Sequence, residues 1–218
     1  MINNKKAVLF DLDGTVIDSM NVWPSIDREY LENHGIKMTD AIRTKIKKEV
    51  EGASMTKIAR FFQEEFGINK NIDTIVGEWN EMAFDKYCNE VKLKPHVDEF
   101  IKFLKEKEYK LGICTSNSRL LAEAILKKYE LYELFDVILC GCDDIEGKPA
   151  PDIYLKAARE LDVVPEECIV FEDLLVGIMA GKAANMEVCA VYDSFSEYQD
   201  EEKKKISDYY IEDYNEIF

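Results

Sequence analysis

The sequence predicts an α/β protein: a doubly wound parallel sheet with a helical bundle inserted after its first strand. Three observations lead there. Short apolar runs recur along the chain, and each is continuous rather than alternating, as in strands covered on both faces. Helical patterns separate most of these runs, which is the alternation of a parallel sheet. The long stretch between the first run and the second carries only helical patterns.

The first strand is "AVLFDLD" (7–13). Pro24 then opens a helix with Ile26, Tyr30 and Leu31 inward and Gly35 at its end. Thr39 caps a second helix, with Ile42, Ile46 and Val50 about one turn apart. Ser54 caps a third, which carries Ile58, Phe61, Phe62 and Phe66 and stops at Gly67. A fourth carries Ile72, Ile75, Trp79 and Met82. These amphipathic helices form a small bundle at the carboxyl end of the sheet, where open α/β sheets bind ligands. After it, Val97, Phe100, Ile101 and Leu104 share a helix face ahead of the strand "KLGICTS" (110–116). Leu121, Ile125 and Leu126 mark the next helix, and "DVILCG" (136–141) the next strand. Ile153, Leu155 and Ala158 mark a helix before "CIVFED" (168–173). "EVCAVYD" (187–193) follows, and "YYIED" (209–213) closes the sheet after the charged run "DEEKKK" (200–205), read as a solvated helix end or loop.

The 218-residue chain is 47% apolar and 33% charged, the composition of a folded globular protein. Its formal net charge of −16 opposes binding to nucleic acid and to anionic membranes. No run approaches the roughly 18 apolar residues of a membrane span, and AVLF is too short for a signal peptide. The expected location is cytoplasmic. Cysteines 114, 140, 168 and 189 lie in or beside apolar runs and read as buried reduced thiols. Cys140 and Cys142 form a C-x-C pair, but no second pair accompanies them, so they are assigned no metal.

The carboxyl ends of the strands carry the chemistry. The first supplies Asp11 and Asp13, the second Thr115, Ser116 and Asn117, and the fourth Glu172 and Asp173; Lys148 follows the third. Four acids converging on one mouth repel each other unless a cation joins them. An all-oxygen set suits a hard cation, and Mg²⁺ shared between carboxylates and a substrate phosphate is the usual pattern. Lys148 and the hydroxyls of Thr115 and Ser116 can then hold phosphate oxygens. A carboxylate can attack phosphorus to give an aspartyl-phosphate, and the second aspartate can protonate the leaving group and later activate water.

These motifs resemble the haloacid-dehalogenase superfamily of phosphohydrolases, in the subgroup with a helical cap after the first strand. "DLDGT" (11–15) is similar to its DxDGT motif, "TSNS" (115–118) to its hydroxyl motif, and "GKPAPDIY" (147–154) to its lysine motif. "FEDLLVGIMAGKAANM" (171–186) is similar to its acidic motif, and all four stand in order. The resemblance implies a Rossmann-like catalytic core of residues 1–16 and 91–218 and a cap of residues 17–90. It implies Asp11 as nucleophile and Mg²⁺ ligand, and Asp13 as general acid/base with its carbonyl on the metal. Thr115 and Lys148 would bind the phosphoryl group, and Asp173 would ligate Mg²⁺ with Glu172 ligating or supporting. Leu174 stands where relatives commonly carry Ser, which implies looser support around the acids.

Within the family, the sequence resembles β-phosphoglucomutase and phosphoglycolate phosphatase-like proteins. The mutases carry a cap histidine and a basic pair around a Gly-x-Ser turn. Here Trp23 takes the histidine position, and "EGASM" (51–55) places Glu51 and Met55 at the basic positions. The expected activity is therefore a Mg²⁺-dependent phosphatase, acting as a monomer on a small phosphorylated metabolite; a phosphosugar mutase and a non-catalytic binding protein are the alternatives. A metal-free dehalogenase has no need of Asp13. Met20, Trp23, Gly52 and Met55 are the expected lid over the leaving group, and the scarcity of fixed cations there argues against a second phosphate on the substrate.

Overall fold

The first apolar run becomes β1 (Ala7–Phe10), and the ladder stops there, before either aspartate. This computed structural model describes residues 1–50, 52–141 and 146–217. Glu51 of the "EGASM" turn and Cys142 of the C-x-C pair lie outside the described residues. After β1 the chain forms a short strand β2 (Ile17–Asp18) and four helices: α1 (Val22–Asn33), α2 (Asp40–Val50), α3 (Met55–Phe66) and α4 (Ile72–Asn89). It returns through β3 (Lys92–Leu93), which pairs antiparallel with β2. The two strands leading into and out of the helical segment are therefore bonded to each other.

The helix starts follow local chemistry with two departures from expectation. Helix α1 begins at Val22, so Pro24 lies within its first turn, where the missing N–H costs no hydrogen bond. Ser54 occupies the N-cap position of α3, but its side chain makes no capping hydrogen bond. Thr39 does accept from Ile42 N at 3.3 Å, and Asn71 caps α4 by accepting from Thr74 N at 2.7 Å. Gly67 ends α3 with φ 66°, a left-handed conformation that favours glycine. Helix α4 outruns the expected pattern: its buried face is Ile75, Trp79, Ala83 and Tyr87, spaced four residues apart, with Met82 only partly buried.

The remainder alternates: α5 (Val97–Glu106), β4 (Lys110–Thr115), α6 (Arg119–Lys128), β5 (Val137–Cys140), α7 (Asp152–Glu160), β6 (Cys168–Glu172), α8 (Leu175–Ala183), β7 (Glu187–Val191), α9 (Asp200–Ile206) and β8 (Tyr209–Ile211). Among the described residues the main sheet has six parallel strands in the order β5-β4-β1-β6-β7-β8. Alternate side chains of β1 pack to opposite faces. Val8 and Phe10 join Phe100, Leu121 and the bundle residues Ile26, Phe62 and Trp79 in one core, while Ala7 and Leu9 join Ile153, Ala157 and Ile178 in another. Helix α7 turns Ile153, Tyr154, Ala157 and Ala158 inward, and the expected Leu155 is only partly buried.

Register places the site. Phe10 sits beside Ile113 of β4 and Phe171 of β6, so the next residues on all three strands emerge together. Asp11 N still donates to Phe171 O at 3.0 Å, which brings its side chain beside Glu172.

The charged run 200–205 is a largely exposed helix, in keeping with the expectation of a solvated helix end, except at Lys203. It is α9, and the Lys203 side chain is fully buried. Its ammonium donates to Asp173 O at 3.2 Å and Ser196 Oγ at 3.1 Å, and pairs with Asp200 at 2.6 Å. The aliphatic stem passes through the core while the charge reaches a polar pocket behind Asp173. Removing one partner of a buried pair costs about 3–5 kcal/mol. Asp200 keeps some water contact, so Lys203→Ala should lose about 3 kcal/mol, near the lower bound. At roughly 2–4 °C per kcal/mol for a chain of this size, the melting temperature should fall by about 10 °C. A thermal unfolding curve unchanged by the substitution would show that Lys203 does not anchor this region.

Candidate active site

Three carboxylates meet where β1 and β6 end. Asp11, Glu172 and Asp173 are all buried, and each has an oxygen within 4.8 Å of the others'. Lys148 lies between two of them, with Nζ 2.6 Å from Asp11 Oδ1 and 2.6 Å from Glu172 Oε1. Burial disfavours the lysine's charge, but Asp11 and Glu172 outweigh it and hold its pKa well above the usual value. Burial pushes the Asp11 carboxyl up to about 8; Lys148 opposes this, and Glu172 and Asp13 add to it. Asp173 is held well above the carboxylate range by burial, then by Glu172 and Asp11. One lysine does not balance three acids.

The surroundings hold the acids by their backs. Glu172 accepts from Lys148, from Tyr154 OH at 3.1 Å and from Leu174 N at 3.1 Å. None of these donors needs a hydroxyl at position 174, so the support around Glu172 is complete with leucine there. Asp173 Oδ1 accepts from Thr15 Oγ1 at 3.1 Å, while Asp173 Oδ2 is buried with no hydrogen-bond partner among the described residues. A Cβ added at Gly14 would lie 2.3 Å from that oxygen, and Gly14 has φ +86°. An all-oxygen cluster with one open acceptor, beside a residue that must lack a side chain, fits a divalent cation. Asp11, Asp173 and Glu172 are the residues that would hold it.

Asp13 is separate from this cluster. Its Oδ1 accepts from Ser19 Oγ at 2.6 Å and from Tyr87 OH. Its Oδ2 accepts from Asn117 Nδ2 at 2.9 Å and, at 3.5 Å, from Thr115 Oγ1. Burial, then Asp13 itself, holds the Tyr87 phenol well above its usual pKa, so it stays a donor. Tyr87 was not singled out from the sequence; carrying the four-residue spacing of α4 past Met82 reaches it. Ser116 borders the same cavity, but its hydroxyl donates to Gly52 O at 2.9 Å rather than standing open to a phosphate.

A cavity of about 350 Å³ extends from Asp11, Asp13, Thr115 and Lys148 into the helical bundle. Met20, Trp23, Gly52 and Met55, the expected lid residues, all line it. Arg43 and Lys47 of α2 line it too, which corrects the reading that fixed cations are scarce there. Both have other partners: Arg43 donates to Asp40 at 3.0 Å, and Lys47 donates to Phe195 O at 3.4 Å and lies over the rings of Phe195 and Tyr198. Asp27 of α1 is the polar wall residue that carried no sequence signal. Burial pushes its carboxyl up to about 7.

Residues 8–191 match the family described as Haloacid dehalogenase-like hydrolase. Phosphorylated carbohydrates phosphatase of Thermotoga maritima is 32% identical over 184 residues, covering 84% of this chain and 82% of that protein. Bifunctional riboflavin kinase/FMN phosphatase of Arabidopsis thaliana is 34% identical over 187 residues, covering 85% of this chain; the match spans about half of that protein, 48%. The crystal structure of CbbY from Rhodobacter sphaeroides in complex with phosphate superposes with a TM-score of 0.82 at 25% identity, over 98% of this chain and 96% of that one. The chain belongs to the haloacid dehalogenase-like hydrolases, an enzyme family whose phosphatases and phosphoglucomutases are among its relatives.

Gly14→Ala tests the open acceptor. The added methyl must displace the Asp173 carboxylate and adopt a left-handed backbone. Divalent-cation affinity measured by titration calorimetry should fall at least tenfold in a variant that still unfolds cooperatively. Unchanged affinity would remove Asp173 from the metal set.

Proposed function

We propose that the protein is a Mg²⁺-dependent phosphatase that hydrolyses a small phosphorylated metabolite through an aspartyl-phosphate on Asp11. One observation carries this reading. Asp11 is paired with Lys148 and has a carboxylate oxygen within 4.8 Å of one on Asp173, whose Oδ2 has no partner among the described residues, while Asp13 is held by neutral donors. Two carboxylates two residues apart after β1 thus have different surroundings and suit different roles.

Bound Mg²⁺ supplies the positive charge that lets a phosphate dianion approach three acids. The protein's own groups do the rest. Lys148 holds Asp11 in place and offers its charge to the phosphoryl oxygens. An Asp11 carboxylate oxygen attacks phosphorus as the bond to the leaving oxygen breaks, and Asp13 gives that oxygen a proton. Asp13, now ionised, takes a proton from water, which attacks the aspartyl-phosphate and regenerates Asp11. Thr115, which lines the cavity beside Asp13, offers a hydroxyl to the phosphoryl group. Because Tyr87 comes from α4 and Ser19 from the turn between β2 and α1, the seating of the helical segment sets the orientation of Asp13. Free thiols at Cys88, Cys114, Cys168 and Cys189 accord with a cytoplasmic setting.

The mutase alternative needs groups that hold a sugar phosphate while it returns for the phosphoryl group. Trp23 stands at the histidine position and Met55 at one of the two basic positions, both on the cavity wall, and the nearby Arg43 and Lys47 contact Asp40, Phe195 and Tyr198.

Asp11→Asn should abolish both turnover and phosphoenzyme while preserving the fold. A variant that keeps a tenth of the wild-type rate would rule out Asp11 as nucleophile. Removing Mg²⁺ with a chelator should likewise stop turnover, and adding it back should restore it.

The second test incubates the enzyme with β-glucose 1-phosphate, a trace of the 1,6-bisphosphate and Mg²⁺. The expected result is no appreciable glucose 6-phosphate. Rapid isomerisation without phosphate release would replace the phosphatase with a mutase.

A further inference from the structure

The cavity has two unlike ends. Where it meets the strand ends its wall is polar, with Asp11, Asp13, Thr115 and Lys148. Within the bundle its wall is apolar: Ile46 and Val50 of α2, Met55 and Ile58 of α3 and Trp79 of α4 line it. Among the described residues, three charged side chains of the bundle also reach this wall. Arg43 is exposed and donates to Asp40, and Lys47 lies over the rings of Phe195 and Tyr198. Asp27 is partly buried, and burial raises its carboxyl toward the neutral form, the response of an acid to apolar surroundings. Trp23, Met55 and Leu174 each put an apolar side chain where the motif pattern has a polar one, and all three line this one cavity.

We infer that the cavity takes an apolar leaving group, and that the substrate is a phosphate monoester of an apolar alcohol. The phosphate meets the polar end, and the carbon skeleton leaves water against the bundle. A methylene placed there gains from burial, whereas a hydroxyl would give up its hydrogen bonds to water and meet few partners. Continuity of the apolar wall with the phosphoryl site is what makes a leaving group, rather than a separate ligand, its occupant. This inference rests on the phosphatase reading above and names the leaving group of that reaction.

The experiment measures the wild-type enzyme on n-alkyl phosphates from ethyl to hexyl at saturating Mg²⁺. Each buried methylene should raise kcat/KM by about fourfold, so hexyl phosphate should exceed ethyl phosphate by on the order of a hundredfold. The matching n-alkylphosphonates, which have no ester bond to hydrolyse, should bind with the same dependence on chain length. Both tryptophans of the chain, Trp23 and Trp79, line the cavity, so their fluorescence reports that binding. Met55→Gln keeps the side-chain length but sets an amide in the wall, and should lower the hexyl-to-ethyl ratio at least threefold; Met55→Leu should retain it. A series with no gain along the chain would overturn the inference, as would a ratio that Met55→Gln leaves unchanged. So would a preference for ribitol 5-phosphate over n-pentyl phosphate, which has the same carbon chain without the hydroxyls. Hydrolysis of ethyl phosphate without a gain along the series removes this inference alone. Failure to hydrolyse any of these esters, or phenyl phosphate, with Mg²⁺ overturns the phosphatase reading itself, and this inference with it.

Discussion

Three buried carboxylates share a pocket with one lysine, and this imbalance organises the rest of the structure. Burial and mutual repulsion both raise the cost of the ionised acids, and Lys148 touches only two of them. The fold answers with neutral donors and with space. Tyr154 and the Leu174 amide share Glu172; Thr15 takes one oxygen of Asp173 and leaves the other open. Gly14 and Gly177 lie so close that a Cβ would overlap Asp173 or Glu172. Such a site is incomplete as protein alone, and a divalent cation is the simplest group that completes it.

Support for the cluster reaches well beyond it. Ser196 Oγ and Lys203 Nζ both donate to the backbone carbonyl of Asp173, fixing the residue from behind without neutralising its side chain. Lys203 also favours the ionised form of the Asp173 carboxyl, though burial and the neighbouring acids outweigh it. On the opposite flank, Asp13 is held by groups from both halves of the molecule. Asn117 belongs to the loop after β4, whereas Tyr87 belongs to α4 and Ser19 to the segment after β2. The helical segment also touches the sheet domain through the Ser116–Gly52 hydrogen bond and through Lys47 against two aromatic rings. The helical segment that lines the cavity therefore also holds the Asp13 carboxylate in place.

What the sequence by itself determined is the sheet and the identity of the reacting groups, because both are local. A continuous apolar run is a buried strand wherever it occurs, and a carboxylate or hydroxyl at its end must leave the ladder. That reasoning places Asp11, Thr115, Glu172 and Asp173 at one mouth, and the ordered motifs add Lys148. It fails where the decisive partner is distant. Tyr87 lies 74 residues from Asp13, and Lys203 lies 30 from Asp173. In sequence the first is one more aromatic on a helix, and the second is one cation in a charged run. Asp27 has no sequence signal at all, since an acid on an amphipathic helix normally faces water; only the packing of α1 against α4 leaves it partly buried on the cavity wall. Tertiary structure also decided how the cations of α2 are used, because Phe195 and Tyr198 reach Lys47 from far along the chain, Phe195 being 148 residues on from Lys47. Apolar patterning reports which residues leave water, whereas the pairing of buried polar groups depends on which surfaces meet when the bundle closes over the sheet.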